Sequence, residues 1–168
     1  IPNGLSNYPI LSDKSSCREL TINLGASLDM NGFRLTIKRS FINNGTFENN
    51  GVTAQFRLNA TAGSYFLGGF SDNDIRIIKN GSSNYTITGN IDCKSIKLNQ
   101  GNTGAIIIDS QDVTISDYFL IKNGVFQVKS GSLTTTKNTS STANSGINGM
   151  TRSLAREFGP DNIRFNAI

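Results

Sequence analysis

Residues 84–108 read NYTITGNIDCKSIKLNQGNTGAIII and contain two short apolar alternations. Tyr85 and Ile87 alternate with polar residues, and Ile106 and Ile108 repeat that alternation 21 positions later. Alternation turns one side of a β-strand inward, and a fixed lag places equivalent strands in successive turns of a coil. The stretch therefore predicts a β-solenoid with rungs of about 20 residues.

The same lag extends along the chain in two series of alternating apolar pairs. The first series, with lags of 19, 21, 21 and 17, is Leu35/Ile37, Ala54/Phe56, Ile75/Ile77, Ile96/Leu98 and Val113/Ile115. The second, with lags of 20, 21 and 20, is Tyr65/Leu67, Tyr85/Ile87, Ile106/Ile108 and Phe126/Val128. A rung of this length holds two or three short strands. We interpret the fold as mainly β, a solenoid resembling a right-handed β-helix, with one C-terminal α-helix.

Asn-Gly dipeptides separate these segments and supply the positive φ that a tight corner needs. They are Asn31-Gly32, Asn44-Gly45, Asn50-Gly51, Asn80-Gly81 and Asn123-Gly124. The same dipeptides also suit two-residue hairpins, so a β-sandwich is the alternative fold.

The composition excludes several kinds of catalytic site and metal site. The 168 residues include no His and only two Cys, which excludes His-dependent triads, His-based zinc sites and a four-cysteine zinc site. Cys17 and Cys93 either form a disulfide, if the compartment is oxidising, or remain as two buried free thiols.

Charge is spread along the chain, and the net charge is +4. The densest basic group, Arg34, Lys38 and Arg39, is interpreted as a solvated strand face and turn. Because no run of basic residues with interleaved aromatics occurs, we expect no nucleic-acid partner. Apolar runs such as Ala105-Ile106-Ile107-Ile108 are far shorter than the roughly 20 residues of a bilayer span, so we expect no membrane span.

Two acidic groups are candidate sites. Asp72, Asn73 and Asp74 present three oxygen-bearing side chains that could bind calcium, with a plain turn as the alternative. No other cofactor is expected. A second group, Asp109, Asp112 and Asp117, could form the carboxylate cluster of a polysaccharide-active β-helix enzyme. Thr134-Thr135-Thr136 and the pair Thr86/Thr88 suit either a flat binding array or ordinary solvent-facing strand positions.

Residues 1–47 carry a resemblance to a known class. The segments Ile1-Pro2-Asn3-Gly4, Asn7-Tyr8-Pro9, Leu20-Thr21-Ile22, Gly25-Ala26-Ser27-Leu28 and Asn43-Asn44-Gly45-Thr46-Phe47 resemble the strand-rich repeat regions of large secreted bacterial surface proteins. The resemblance covers residues 1–137. It implies an extracellular or cell-surface location in bacteria, an adhesive or scaffolding role, and further repeats in the parent chain.

The C-terminal segment resembles a different family. Ile147, Met150, Leu154 and Phe158 predict an amphipathic helix that ends at Gly159-Pro160. Residues 145–168 are similar to the helix and strand that follow the active site of short-chain dehydrogenases/reductases. The predicted organisation is therefore a β-repeat module over 1–137, a polar linker over 138–144, and this helix-strand segment over 145–168.

The dehydrogenase resemblance does not extend to that family's chemistry. The family's catalytic Lys and Tyr would fall on Asn144 and Ser140, which cannot replace them. Tyr118 and Lys122 have the family's Tyr-x-x-x-Lys spacing but lie in a predicted strand. Residues 63–69 are Gly-rich, yet no helix is predicted after them to hold a dinucleotide pyrophosphate.

The sequence therefore predicts a non-catalytic extracellular surface module with an adhesive or scaffolding role. Polysaccharides and cell-surface components are its candidate partners. The alternatives are a fragment of an NAD(P)-dependent short-chain dehydrogenase/reductase and a polysaccharide-active β-helix enzyme.

Overall fold

The computed structural model describes residues 1–4, 8–99, 101 and 103–136, and these residues contain strands and turns but no helix. Fifteen strands follow one another along the chain. They are β1 (Ser15–Cys17), β2 (Leu20–Ile22), β3 (Ser27–Asp29), β4 (Leu35–Ile37), β5 (Phe41–Asn43), β6 (Thr46–Glu48), β7 (Ala54–Leu58), β8 (Ser64–Leu67), β9 (Phe70–Lys79), β10 (Asn84–Ile87), β11 (Ile91–Leu98), β12 (Ala105–Ile108), β13 (Gln111–Ile121), β14 (Val125–Val128) and β15 (Gly131–Thr135).

The strands stack into three faces, and each rung contributes one segment to each face. Face 1 contains β1, β4, β7 and the second halves of β9, β11 and β13. Face 2 contains β2, β5, β8, β10, β12 and β14. Face 3 contains β3, β6, the first halves of β9, β11 and β13, and β15.

All of the strand pairings among the described residues are parallel. Parallel pairing between segments one rung apart is the geometry of a solenoid, which here has about six turns. The predicted β-solenoid is confirmed, and the sandwich alternative is wrong because hairpins would pair antiparallel. The right-handed coil stays a prediction.

The second apolar series pairs residue for residue on face 2. Tyr65 stacks on Tyr85, Tyr85 on Ile106 and Ile106 on Phe126. On face 1 the predicted lag of 21 is correct between β7 and β9, where Ala54 pairs with Ile75.

The first series is wrong at the next steps of face 1. Ile96 pairs with Ile77 and with Phe119, rather than with Ile75 and Val113. The cause is a bulge at Lys94, which lies opposite three residues of β9 and two of β13.

The inward side chains of the three faces form one continuous apolar core. It includes a group of four phenylalanines, Phe41, Phe47, Phe56 and Phe70, in which contacting ring centroids lie 4.8–6.1 Å apart. Tilted and edge-to-face aromatic pairs at these distances add to the stability that burial alone provides. The core therefore fixes which residues of each strand point outward.

The N-terminal segment covers one end of this core. Ile1, Tyr8 and Leu11 pack against the core, and the Tyr8 hydroxyl donates a hydrogen bond of 2.5 Å to the carbonyl of Gly25. The backbone of Leu11 pairs with Asp29 at the first strand of face 3. This segment satisfies backbone groups that would otherwise be exposed at a sheet edge.

The chain divides after Lys137, and the described residues belong to the unit Ile1–Lys137. The predicted linker over 138–144, and the predicted helix and strand over 145–168, lie outside the described residues.

Candidate functional site

The outward side of face 1 carries one cation on each of five successive rungs. We call these residues, Lys14, Arg34, Arg57, Arg76 and Lys97, the basic face. Lys14 and Arg34 immediately precede β1 and β4, and the others lie within β7, β9 and β11. Adjacent strands of a sheet are about 4.8 Å apart, so the five cations extend over about 19 Å along the solenoid axis.

Strand register places these cations in two neighbouring rows. Lys14 lies level with Arg34, because Ser15 donates its backbone N–H to the carbonyl of Arg34 and pairs with Leu35. In the same row Gln55 pairs directly with Arg76. In the second row Ile78 pairs with Arg57 on one side and with Lys97 on the other.

A groove of about 280 Å³ lies at the N-terminal end of the basic face. Three cations line it, Lys14, Arg34 and Arg57. Its wall also includes Thr53, Gln55 and Phe33. Among the described residues, no carboxylate lines this groove.

Gln55 orients one of the guanidinium groups. Its side-chain carbonyl accepts hydrogen bonds from Nε of Arg57 at 3.1 Å and from Nη2 at 2.8 Å. Burial lowers the pKa of Arg57, and the positive charge of Arg34 lowers it further. Two like charges therefore face the same groove, and an anion placed between them would relieve their repulsion.

The ion pairs within the described part of the chain use none of the five cations of the basic face, although the Lys94–Asp74 pair borders the groove through Thr53. They join Arg39 to Glu19 at 3.8 Å, Lys94 to Asp74 at 3.3 Å and Lys129 to Asp109 at 4.0 Å. On the basic face itself, Nε of Arg76 is buried and has no hydrogen-bond partner in that part.

The topology sorts the charges by face. The strand segments of face 3 contain five carboxylates and no Lys or Arg, namely Asp29, Glu48, Asp72, Asp92 and Asp112. The segments of face 1 contain cations and no Asp or Glu. Charge that is spread along the sequence is therefore sorted by face in this part of the fold. The available signal in the sequence was one cation at each of positions 14, 34, 57, 76 and 97, with lags of 20, 23, 19 and 21.

Asp72, Asn73 and Asp74 lie inside β9, at the corner between faces 3 and 1. The Asp72 carboxylate accepts the backbone N–H of Asn49 at 2.5 Å and that of Asp74 at 2.8 Å. Asp74 is paired with Lys94, whose ammonium also donates to Thr53 at 2.9 Å. Among the described residues, no group of three or more His, Cys, Asp or Glu side chains is placed to hold a metal. Calcium binding at this corner stays a prediction.

The three carboxylates of the second acidic group lie at different places on one rung. Asp109 follows β12 and accepts a hydrogen bond from Ser130 at 3.1 Å, whereas Asp112 lies on face 3 and accepts one from Ser132 at 2.6 Å. Asp117 lies five residues further along β13, at the bulge. The structure engages Asp109 and Asp112 with the next rung rather than with each other.

The residues tested against the dehydrogenase pattern lie in strands. Tyr118 is in β13 and pairs with Ser95, and Lys122 follows the end of that strand. Four residues of extended chain separate them by about 13 Å, whereas a helix would bring them together. Residues 63–69 form a turn and β8, and β9 follows them. Ser140 and Asn144 lie outside the described residues.

The remaining candidates take ordinary positions. Thr86 points outward on face 2 between Phe66 and Ile107. Thr134 pairs with Thr114 on face 3. A threonine binding array at these positions stays a prediction. Cys17 and Cys93 are free thiols. Burial raises the pKa of both, and that of Cys93 reaches about 12.

No family model matches the chain, and no curated protein or solved structure is significantly similar to it. Among the described residues there is also no helix long and apolar enough to cross a membrane.

Proposed function

We propose that this protein is a non-catalytic extracellular surface module with an adhesive or scaffolding role. The observation that supports the proposal is a partial ladder of outward polar side chains on face 3 that bond between neighbouring rungs. Ser71 donates to Asp92 at 2.8 Å, and Ser132 donates to Asp112 at 2.6 Å. These bonds join residues 20 or 21 positions apart, so they reinforce the stacking of rungs.

A ladder of this kind suits adhesion for a physical reason. Rigid, pre-ordered side chains lose little conformational entropy when a ligand binds, and repeated weak contacts along one face act together. A polysaccharide or another cell-surface polymer has a matching repeat along its own length. The N-terminal resemblance to secreted bacterial surface proteins supports the same role.

An array of neutral and acidic polysaccharides tests the proposal. The immobilised full chain is exposed to each polymer, and both the bound amount and the polymer length after incubation are measured. We expect saturable, reversible binding of at least one polysaccharide, with no change in polymer length. Shortening of a polymer would instead support the polysaccharide-active alternative, and NAD(P)H-dependent reduction of a carbonyl compound would support the dehydrogenase alternative.

A further inference from the structure

We propose that the basic face binds an acidic polysaccharide whose chain runs along the solenoid axis. This inference rests on the proposed surface role and names the ligand class for one face. It follows from the one-cation-per-rung arrangement of Lys14, Arg34, Arg57, Arg76 and Lys97.

The spacing of the cations suits a polymer with one anionic group per sugar. Successive rungs are about 4.8 Å apart, which is close to the length of one pyranose ring in an extended chain. A uronic acid polymer would thus present a carboxylate near each rung of the basic face. A small anion would occupy only the groove and would leave Arg76 and Lys97 unused.

The groove supplies contacts for sugar hydroxyl groups as well as for charge. Thr53 and Gln55 place a hydroxyl and an amide between the cations, and the ring of Phe33 offers an apolar surface to the C–H side of a pyranose. The bond from Gln55 to Arg57 holds the guanidinium in place before any ligand arrives. Fixing the guanidinium in advance lowers the entropy cost of binding.

Charge sorting favours the same ligand class and the same face. The carboxylates of face 3 repel a polyanion, whereas face 1 attracts it, so binding is directed to one side of the solenoid. Nucleic acid is the less favoured polyanion. Single-stranded nucleic acid binders interleave several stacking aromatic rings with their cations, and this groove contains only Phe33.

The test compares two variants of the full chain against polygalacturonate, a polymer of uronic acid. R34Q/R57Q removes two cations from the groove. R39Q is the control because it removes one cation outside the basic face, where Arg39 is paired with Glu19. Circular dichroism and melting temperature confirm that each variant is folded. If R34Q/R57Q does not fold, K14Q/K97Q removes two other cations of the same face.

We expect R34Q/R57Q to weaken binding of polygalacturonate about tenfold at low ionic strength and to make binding less salt-dependent. R39Q should remain within about twofold of wild type. Equal weakening by R39Q, no binding of polygalacturonate, or tighter binding of single-stranded DNA would each overturn the proposal. If the protein instead binds neutral dextran, and R34Q/R57Q does not change that binding, the proposal for the basic face is overturned and the adhesive role stays intact.

Discussion

Lys79 occupies an inward position of face 1, where its paired neighbours are Leu58 on one rung and Leu98 on the next. Its side chain is fully buried, its Nζ donates a hydrogen bond of 2.6 Å to the carbonyl of Gly81, and it lies 5.9 Å from the centroid of the Tyr85 ring. Burial lowers the pKa of Lys79 from 10.5 to about 8. The charged form is therefore disfavoured in the folded protein.

The lowered pKa makes stability depend on pH with a definite sign. Between about pH 8 and pH 10.5 the unfolded chain binds more protons than the folded one, so the free energy of unfolding rises with pH. The two pKa values imply a cost of about 3 kcal/mol at pH 7 and of about 1 kcal/mol at pH 10. We therefore expect Lys79 to cost the fold roughly 2 kcal/mol less at pH 10 than at pH 7.

The variant K79M isolates this effect, because methionine keeps an unbranched side chain and cannot ionise. Urea unfolding of wild type and K79M at pH 7 and pH 10, followed by circular dichroism, gives the two free energies at each pH. The difference between the proteins should shift by about 2 kcal/mol between the two pH values, in the direction that favours wild type at pH 10.

The comparison must be between the two proteins rather than along one pH profile. Burial raises the pKa of Cys93 and of Tyr85 to about 12, so ionisation of these groups in the unfolded chain opposes the effect of Lys79 at high pH. Both proteins contain these groups, so their contributions cancel in the difference. Parallel pH profiles for wild type and K79M would refute the reasoning.

Three further predictions concern stability, each measured by urea unfolding of the full chain. G81A should destabilise the fold by at least about 2 kcal/mol, because a Cβ there would lie 1.7 Å from the carbonyl oxygen of Ala60, whereas G101A, with open space around its Cβ, should change it by less than about 0.5 kcal/mol; equal effects would contradict this assignment. F56A should cost about 3–5 kcal/mol, because Phe56 is fully buried among three other phenylalanines, and a cost below about 1 kcal/mol would contradict the packing. Burial opposes ionisation of Asp29, but hydrogen bonds from two backbone N–H groups and one amide side chain outweigh it and lower the pKa. D29N should therefore lower the free energy of unfolding by about 1 kcal/mol at pH 7, and this difference from wild type should disappear as the pH falls below 4. A difference that stays constant with pH would show that the charge of Asp29 is not involved.

The sequence was sufficient to predict the part of face 2 from β8 to β14, and the reason is local. Between Tyr65 and Phe126 the corners have nearly equal lengths, so a constant lag in apolar residues equals the true register. On face 1 the bulge at Lys94 changes the number of residues in the corner without changing the alternation on either side. Periodicity reports which side of a strand is apolar, but it does not report how many residues a corner absorbs.

The basic face could not be predicted from local charge density for a related reason. Arg34 and Arg57 are 23 positions apart, yet they line one groove. Arg34 immediately precedes β4 and Arg57 lies within β7, and both strands belong to face 1. The cluster Arg34, Lys38 and Arg39 is denser along the chain, but Arg39 pairs with Glu19 outside the groove. A charged residue can be assigned to a face only when the strand register is known. The sequence predicts that register only where successive corners have nearly equal lengths.

The corners also determine which insertions and substitutions the fold can accept during evolution. Paired residues of neighbouring rungs lie as few as 19 positions apart, at Ile77 and Ile96, and as many as 26 apart, at Phe41 and Leu67, while the pairing stays parallel. An inserted residue at a corner therefore adds to a loop and leaves the strands on either side in place. Mutation can lengthen or vary the loops that border the basic face while the core keeps its packing. Ligand preference in such a scaffold can diversify without a loss of foldability.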